Sequence, residues 1–348
     1  MKKVFVDLKR ETDNSYDIEI LSGSAEGLLR QLNREGAYFI IDKNVSELYA
    51  YTREFKHSFI LEASEHNKSF STVERVLKFL LEGGCLRNST LVALGGGVTG
   101  DIGGFAASIY MRGIDFIQVP TTLLSMVDSS VGGKTGVNLG NVKNVVGSFY
   151  QPKKVIIDPT FLNTLSFDEF KSGVGEVVKY GLMFDATLYH ELMDKKDLIL
   201  SKGDVLGEII LRCCEIKAEV VRNDERENGL RMFLNFGHTV GHAIETDSNH
   251  EIKHGFAIAT GMYVETLYGK TVGEVSSETF EAVKKILLHY EFPLGYIPKD
   301  MAKFTESMRS DKKAKRDGIL LSLTEPLGSG KILKGIEPGL VTRFLTEI

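Results

Sequence analysis

The sequence is poor in cysteine and proline and contains no tryptophan: 3 cysteines and 7 prolines occur among 348 residues. Cys85 stands alone, whereas Cys213 and Cys214 are adjacent. This spacing fits neither a disulfide framework nor a cysteine-based zinc site. Thiols without a pairing pattern are typical of a reducing compartment, so we expect a cytoplasmic protein.

Long apolar runs and an excess of positive charge are also missing. No segment reaches the ~18 consecutive apolar residues of a membrane span, and the apolar stretch before Lys9 and Arg10 is too short for a signal peptide. The 42 Lys+Arg against 47 Asp+Glu give a net charge of −5. A binder of nucleic acid or of an anionic membrane needs a basic face, so both classes are disfavoured and any affinity for anions must be local.

The rest of the composition is that of an ordinary folded protein. Hydrophobic residues make up 43% of the chain and charged residues 26%, which argues against a disordered chain. The length suits two domains of roughly 100–200 residues each. The 35 glycines exceed the average share of about 7%, so we expect close backbone approaches.

Short apolar runs alternate with helical patterns in the first part of the chain. The strand-like runs are Val4–Leu8, Tyr38–Ile41, Ser58–Leu61, Thr90–Leu94, Phe116–Val119 and Val155–Ile157. Helical periodicity lies between several of them, as in Phe70–Leu81 and Gly103–Tyr110. This alternation predicts a mostly parallel sheet covered on both faces, in an α/β domain of residues 1–165.

Long helical periodicity dominates after Ser166. The helical stretches are Gly173–Met183, Val205–Val221, Leu234–Ile244, Phe256–Tyr268 and Phe280–Leu288. The segments Gly318–Leu323 and Lys331–Leu333 flank a Gly-Ser-Gly turn and predict a small hairpin. We therefore expect a mainly α-helical domain over residues 166–348, with the ligand site in the cleft between the two domains.

A glycine-rich loop follows one of the predicted strands. Leu91–Leu94 runs into Gly95–Asp101, and the helical pattern follows directly. Gly95, Gly97 and Gly100 have the G-x-G-x-x-G spacing that lets the backbone and a helix N-terminus approach a diphosphate. An acidic residue about 20 positions further on, as expected for a ribose hydroxyl, has no good candidate. Tight packing of strand against helix therefore remains an alternative to a nucleotide site.

A second glycine cluster spans Asp128–Gly136. It does not match a phosphate-binding loop, because Asp128 stands where that pattern requires its first glycine. Lys134 is either an anion contact or a solvated lysine on a turn.

Histidine and glutamate in the second half form a candidate metal site. His238 and His242 are four residues apart, which puts them on one helix face and nominates them together as ligands. His254 follows after a polar loop, and Glu176 and Lys179 lie three apart on an earlier helix. One carboxylate and two or three imidazoles are the ligand set of a catalytic zinc. A histidine pair at this spacing is also common as a packing or surface feature.

Several long motifs, in order, resemble one family, the 3-dehydroquinate synthases among the sugar phosphate cyclases. The resemblance covers nearly the whole chain. Its densest segments are Gly95–Asn138, SGVGEVVKYGL (Ser172–Leu182), RMFLNFGHTVGHAIE (Arg231–Glu245) and HGFAIATGM (His254–Met262). Two segments depart from the family pattern: Leu61–Asn67 lacks the usual Pro-x-Gly-Glu, and Ser-Phe-Asp-Glu after Leu165 replaces Pro-x-Arg-Glu.

The resemblance implies a two-domain enzyme with NAD bound between an α/β nucleotide-binding domain and a helical metal- and substrate-binding domain. It implies one divalent ion, Zn²⁺ or Co²⁺, held by Glu176, His238 and His254. His242 then becomes the acceptor of the substrate hydroxyl proton, which differs from the role that spacing alone suggests. The residues implied at the reacting centre are His242, Lys134, Glu176 and Asn235.

The resemblance also implies contacts to cofactor and substrate. The cofactor contacts are Asp42, Lys68, Gly97, Val98, Thr99, Gly100, Asp101, Thr121, Thr122, Asp128, Lys134 and Lys143. The substrate contacts are Arg112, Lys134, Asn144, Lys179, Lys217, Arg231, Asn235 and, from the Asp311-Lys-Lys stretch, Lys312. By the same resemblance the protein is a homodimer in which Arg112 reaches the site of the partner subunit.

The implied reaction converts 3-deoxy-D-arabino-heptulosonate 7-phosphate into 3-dehydroquinate and phosphate, with NAD retained through the cycle. A doubly anionic substrate explains a local cluster of cations in an acidic chain. Three alternatives remain at this point: another sugar phosphate cyclase, a metal-dependent NAD alcohol dehydrogenase, and a non-catalytic sensor on the same scaffold.

Overall fold

The computed structural model describes residues 13–140, 142–227, 229–309 and 318–346. Within them the strands are β1 (Asp17–Ile20), β2 (Tyr38–Asp42), β3 (Ser58–Leu61), β4 (Thr90–Gly95), β5 (Asp115–Pro120), β6 (Lys134–Leu139), β7 (Val142–Phe149), β8 (Lys154–Ile157), β9 (Ile319–Thr324) and β10 (Gly330–Ile336). The helices are α1 (Ala25–Arg34), α2 (Lys43–Leu48), α3 (Phe70–Glu82), α4 (Gly97–Ile109), α5 (Phe167–Met183), α6 (Ala186–Asp194), α7 (Lys196–Leu200), α8 (Val205–Asn223), α9 (His238–Asp247), α10 (His254–Thr271), α11 (Ser277–His289), α12 (Met301–Arg309) and α13 (Pro338–Val341).

A parallel sheet forms the amino-terminal half. Among the described residues it has six strands in the order β1-β8-β5-β4-β2-β3. All five residues of β2 are buried, because helices cover both faces of the sheet. After β2 the chain places β3 on one side of it, at the edge of the sheet. The chain then crosses to the other side of β2 to form β4 and, beyond it, β5, so the direction of winding changes between β2 and β4. Ligands of such sheets bind at this change, beyond the carboxyl ends of the strands.

Every predicted strand that falls within the described residues is a strand in the structure. Ser58–Leu61 is a strand as expected, and the other four predicted strands within the described residues are each one or two residues longer in the structure. The predicted strand Val4–Leu8 lies outside the described residues. Strand β1 has no signal in the sequence, because its acidic and apolar residues alternate (DIEI) and form no continuous apolar run.

Helix α4 begins at Gly97, whereas the periodicity predicts a start at Gly103. Gly97 to Asp101 are therefore the first turn of the helix and not a loop before it. A Cβ on Gly103 would lie 2.9 Å from Ala93 Cβ, and one on Gly104 would lie 2.4 Å from Thr135 Cγ2. Glycine is unfavourable in a helix, but here its small size lets α4 lie directly on β4 and β6.

The glycine cluster at 128–136 is not a loop throughout. Its last three residues belong to β6, which pairs antiparallel with β7 and sets Gly136 opposite Gly147. A Cβ on Gly147 would lie 2.0 Å from the carbonyl oxygen of Thr135. The β6–β7 hairpin was missed because its glycines resemble turn residues, whereas they actually allow two strands to approach closely.

The second half is mainly helical, as expected. Each of the five predicted helical stretches overlaps a helix, and β9 and β10 form the predicted antiparallel hairpin. The stretch predicted from Leu234 starts later, at His238, because residues 230–235 form a 3-10 turn and Gly237 takes a φ of 76°. No described helix has the length and hydropathy needed to cross a bilayer.

Three helices of this half meet at glycines. A Cβ on Gly255 of α10 would lie 1.8 Å from the carbonyl oxygen of Ser172 in α5. A Cβ on Gly261 of α10 would lie 1.9 Å from the carbonyl oxygen of Gly237, at the start of α9. The backbones of α5, α9 and α10 are therefore in direct contact. This contact brings side chains of the three helices close to one another.

One cluster of buried apolar side chains extends through both halves. It includes Phe39 of β2, Val177 of α5 and Met262 of α10. The sheet and the helical layer therefore share a core, and the predicted boundary at 165/166 falls immediately before α5.

Candidate active site between the sheet and the helical half

A cleft of about 950 Å³ lies between the carboxyl ends of the strands and the helical half. The predicted site residues that line it are Asp42, Lys68, Gly97, Val98, Asp101, Thr121, Thr122, Asp128, Lys134, Lys143, Asn144, Lys179, Lys217, Arg231, Asn235, His238, His242 and His254. Glu176 lies beneath its floor and is fully buried. The sequence-predicted residues therefore gather from both halves at one place.

A few predicted residues lie elsewhere. Thr99 and Gly100 point into the sheet, where a Cβ on Gly100 would lie 2.7 Å from Gln118 Oε1. Arg112 is exposed on the turn after α4 and does not line the cleft. Lys312 lies outside the described residues.

Glu176, His238 and His254, which we call the three-residue group, meet at the crossing of α5, α9 and α10. Glu176 Oε1 lies 3.0 Å from His254 Nε2 and 3.4 Å from His238 Nε2. One ligand atom of each residue lies within 4.8 Å of the others. This is the spacing at which a carboxylate and two imidazoles can share an ion.

The second ring nitrogen of each imidazole also has an acceptor. His238 Nδ1 lies 3.0 Å from the carbonyl oxygen of Phe236, and His254 Nδ1 lies 3.5 Å from Glu245 Oε1. An acceptor at Nδ1 holds the ring proton there, which leaves the Nε2 lone pair for a metal. Burial alone would lower the pKa of His254, but without a metal Glu245 and Glu176 outweigh burial and raise it to about 10, so a metal ion must displace the proton at Nε2 in order to bind there.

His242 stands beside the three-residue group without joining it. Its ring centroid lies 5.2 Å from that of His238 and 6.2 Å from that of His254. The spacing-based pairing of His238 with His242 on one ion is not what the structure supports, because His242 clusters instead with Glu245 and His254. Burial and the neighbouring His238 lower the pKa of His242 to about 3, so its imidazole is neutral at neutral pH.

A buried network of charges extends from Glu176 to Asp128. Lys179 Nζ lies 2.5 Å from Glu176 Oε2 and 4.0 Å from Asp128 Oδ1. Lys217 Nζ lies 2.8 Å from the same Asp128 oxygen, and the Tyr180 hydroxyl donates to it at 2.7 Å. Burial would raise the pKa of Asp128, but the two ammonium groups lower it below its ordinary value.

Arg231, Lys134 and Asn235 also line the cleft. The guanidinium of Arg231 is buried and donates to the carbonyl oxygen of Gly132 at 3.1 Å. Asn235 Nδ2 donates to Glu227 Oε1 at 2.8 Å, and Lys134 forms an ion pair with the same carboxylate. We call these three residues the cationic wall, because their donors are suited to bind an anion.

The start of α4 forms the side of the cleft at which the sequence predicts a nucleotide, here called the nucleotide side. Gly97 and Val98 line the cleft at the helix N-terminus, where unpaired N–H groups favour a phosphate. Asp42 ends β2 and accepts a hydrogen bond from Asn44 N at 2.8 Å. Lys68 and Asp101 form a buried ion pair below this point.

Three side chains of the site are not among the residues predicted from the sequence. Glu245 could have been noticed, because it lies three residues after His242 and seven after His238 on the same helix face. Tyr180 carries no signal beyond its place next to Lys179. Glu227 lies on an irregular segment with a φ of 62°, where periodicity gives no information.

Family models match both halves of the chain. The 3-dehydroquinate synthase N-terminal model matches residues 58–172, and the C-terminal model of the same enzyme matches residues 173–314. A 3-dehydroquinate synthase from Alkaliphilus metalliredigens (strain QYMF) is 42% identical over 345 residues, covering 95% of this chain and 94% of the relative.

Solved structures agree in fold. ValA, a 2-epi-5-epi-valiolone synthase from Streptomyces hygroscopicus subsp. jinggangensis 5008 with NAD⁺ and Zn²⁺ bound, has a TM-score of 0.85 at 24% identity, with 99% of this chain and 98% of that chain covered. A 2-deoxy-scyllo-inosose synthase complexed with carbaglucose-6-phosphate, NAD⁺ and Co²⁺ has a TM-score of 0.84 at 26% identity, with 95% and 96% covered. With family models matching both halves and a relative of this identity along nearly its full length, the chain belongs to the 3-dehydroquinate synthase family.

Proposed function

We propose that this chain converts 3-deoxy-D-arabino-heptulosonate 7-phosphate into 3-dehydroquinate and phosphate. The observation that carries the proposal is the position of the three-residue group, which borders the same cleft as the N-terminus of α4 and the cationic wall. A metal ligand set, a phosphate-binding helix end and an anion-binding wall together fit this substrate and its cofactors.

The donor set fits one Zn²⁺ or Co²⁺. Glu176, His238 and His254 would hold the ion, since each imidazole presents Nε2 to Glu176 while its Nδ1 faces an acceptor. When bound, the ion would lower the pKa of a substrate hydroxyl. His242 lies outside this ligand set and is neutral, so we assign it the removal of the hydroxyl proton.

The nucleotide side of the cleft fits NAD. Residues at the start of α4 would receive the diphosphate, and Asp42, Thr122 and Lys143 line the same side. The remaining proposed cofactor contacts are Lys68, Gly97, Val98, Asp101, Thr121, Asp128 and Lys134. NAD would accept a hydride from the substrate and return it within one cycle.

The cationic wall would hold the two anionic groups of the substrate. Arg231 suits a carboxylate, because its planar fork donates two parallel hydrogen bonds, whereas lysines act as point charges towards phosphate. The proposed partners of the substrate are Lys134, Asn144, Lys179, Lys217, Arg231, Asn235 and Lys312. Fixed cations also keep the substrate in place while its own phosphate leaves.

We also propose that the protein is a cytoplasmic homodimer in which Arg112 serves the site of the partner subunit. Met111 and Arg112 have φ values of 48° and 66° in the turn after α4, and Arg112 is exposed and does not line the cleft of its own chain. Apolar side chains at this turn are exposed, with Ile109 at 43% and Met111 at 43%. Such a patch is typical of a protein interface.

The test is to incubate the purified protein with the heptulosonate phosphate, a divalent metal and substoichiometric NAD. Release of several equivalents of phosphate per NAD, without accumulation of NADH, supports the proposal. Accumulation of NADH would instead identify an alcohol dehydrogenase, and turnover of a different sugar phosphate alone would identify another cyclase. Absence of turnover with all of these substrates would identify a sensor.

A further inference from the structure

We propose that Glu245 is a positioning residue, which orients the ligand His254 and ties it to Lys143 on the β6–β7 hairpin. This inference rests on the proposed metal site. It concerns a side chain that neither touches the reacting atoms nor belongs to the three-residue group.

The contacts of Glu245 converge on one oxygen atom. Its Oε1 lies 3.5 Å from His254 Nδ1 and 3.3 Å from Lys143 Nζ. The side chain of Glu245 is 9% exposed, and it is carried by α9, the helix that also begins with His238. The carboxylate is therefore fixed between a helix of the second half and a hairpin of the first.

His254 has a carboxylate at each ring nitrogen. Glu176 faces Nε2 at 3.0 Å and Glu245 faces Nδ1 at 3.5 Å. An imidazole can bind a metal through one nitrogen while the other donates its proton to a carboxylate, which fixes the tautomer and the plane of the ring. Nε2 of His254 faces the other two members of the three-residue group and is therefore the nitrogen that would bind the metal. Glu245, at Nδ1, is the carboxylate that orients the ring.

Glu245 also lies in a second candidate metal group with His242 and His254. A second ion there is the less favourable interpretation. Lys143 Nζ already contacts the carboxylate oxygen that would bind the ion, and a cation bound at that oxygen would meet the ammonium at close range. The contact of Lys143 instead favours a carboxylate that acts by orienting His254.

Glu245 Oε1 contacts both a residue proposed to bind NAD and a residue proposed to bind the metal. Lys143 is a proposed NAD contact and His254 a proposed metal ligand, so loss of Glu245 should weaken both. Linkage then requires that bound metal and bound NAD favour each other, as two ligands do when both stabilise one arrangement.

The experiment compares Glu245→Gln, Glu245→Asp and Lys143→Met with the whole wild-type protein. Glu274→Gln is the matched control, because Glu274 forms a lysine ion pair with Lys331 outside the cleft. Co²⁺ affinity is measured by competition with a chromophoric chelator, the visible spectrum of bound Co²⁺ is recorded, and NAD affinity is measured by calorimetry with and without Co²⁺.

We expect Glu245→Gln to weaken Co²⁺ binding by about 10–100-fold and to shift the visible bands. Glu245→Asp keeps the charge but withdraws the oxygen, so it should weaken Co²⁺ binding too and serves if the glutamine variant does not fold. Lys143→Met should weaken NAD binding and reduce the effect of Co²⁺ on it. Glu274→Gln should match wild type in all three measurements.

Unchanged Co²⁺ affinity and an unchanged Co²⁺ spectrum in both Glu245 variants would overturn the inference, even if they were less stable to heat. Binding of two Co²⁺ ions by wild type and one by Glu245→Gln would also overturn it, in favour of a second metal site. A wild-type protein that binds no Co²⁺ would instead contradict the proposed function.

Discussion

Both ring nitrogens of His254 face carboxylates, Glu176 at Nε2 and Glu245 at Nδ1. These partners come from other helices, so the spacing of histidines along the sequence does not identify the metal ligands. His238 and His242 share a helix face, but the side chain that completes the group with His238 comes from the start of α10. A ligand is defined by where its lone pair points, which depends on the acceptor at the other nitrogen. That information lies in the fold and not in the interval between two histidines.

Replacing His254 by alanine should abolish stable metal binding and activity, because it leaves one carboxylate and one imidazole. Metal content after dialysis, measured by atomic emission, checks this. His190→Ala is the matched control, since His190 is exposed on α6 and should keep full metal content. A His254→Ala protein that retains one tightly held ion would contradict the ligand assignment.

His242→Ala should retain the metal yet slow turnover by about 10²–10⁴-fold, the usual contribution of a proton acceptor. Rapid mixing that follows absorbance of transient NADH would locate the loss in the first oxidation. Loss of metal together with activity would mean that His242 is a ligand, and turnover equal to wild type would remove its assigned role.

Arg231→Ala should weaken substrate binding by about 1.5–3 kcal/mol, the range of hydrogen bonds to charged groups, and leave NAD binding largely intact. Arg231→Lys should restore little, because lysine lacks the planar fork. Calorimetry with a non-reacting phosphonate analogue measures this. Arg222→Ala, which removes an exposed arginine paired with Glu219, is the control. Equal affinity in Arg231→Ala and wild type would show that this side chain does not hold the substrate carboxylate.

At the scale of elements, glycine contacts between helix backbones set the positions of the ligands. Gly255 follows His254 directly and lies on Ser172, four residues before Glu176. The sequence shows the glycines but not their partners, so periodicity locates α5 and α10 without indicating that they touch. The same reason explains why α4 was expected to start late and why the β6–β7 hairpin was missed.

Gly255→Ala should destabilise the protein by about 3 kcal/mol or more, because its Cβ would meet backbone that cannot move aside, and it should weaken metal binding by separating α5 from α10. Denaturant unfolding of the metal-free and metal-loaded protein measures both effects. Gly207→Ala on α8 is the control, since nothing lies within 4 Å of its Cβ. It should stabilise by up to about 1 kcal/mol. A Gly255→Ala protein as stable as wild type would contradict the described helix crossing.

For the molecule as a whole, the change from short strands to long helices correctly indicates two layers with a cleft between them. The shared core could not be predicted, because it depends on which helix faces meet the sheet. The family resemblance supplied most of the site residues. Glu245 and Glu227 came from the structure.

Mixing two inactive variants tests whether sites are shared between subunits. Arg112→Ala and His254→Ala should each be inactive alone, whereas an exchanged mixture should recover up to about a quarter of wild-type activity, because half of the dimers carry one intact site. A monomer in light scattering, or no recovery after proven subunit exchange, would contradict the proposed contribution of Arg112. A mixture of His254→Ala with Glu176→Gln is the control and should stay inactive, since both residues belong to one subunit's group.

The carboxylate of Glu227, which holds Lys134 and Asn235, has a consequence for the turnover cycle. A sugar acid that enters the cleft must displace the Glu227 carboxylate from Lys134 and Asn235 before it can bind these donors. The same carboxylate can return when the product departs, so Lys134 and Asn235 have an anionic partner both with and without substrate. Substrate binding and product release are then the forward and reverse directions of one exchange of anions, in which Glu227 competes with both ligands for Lys134 and Asn235.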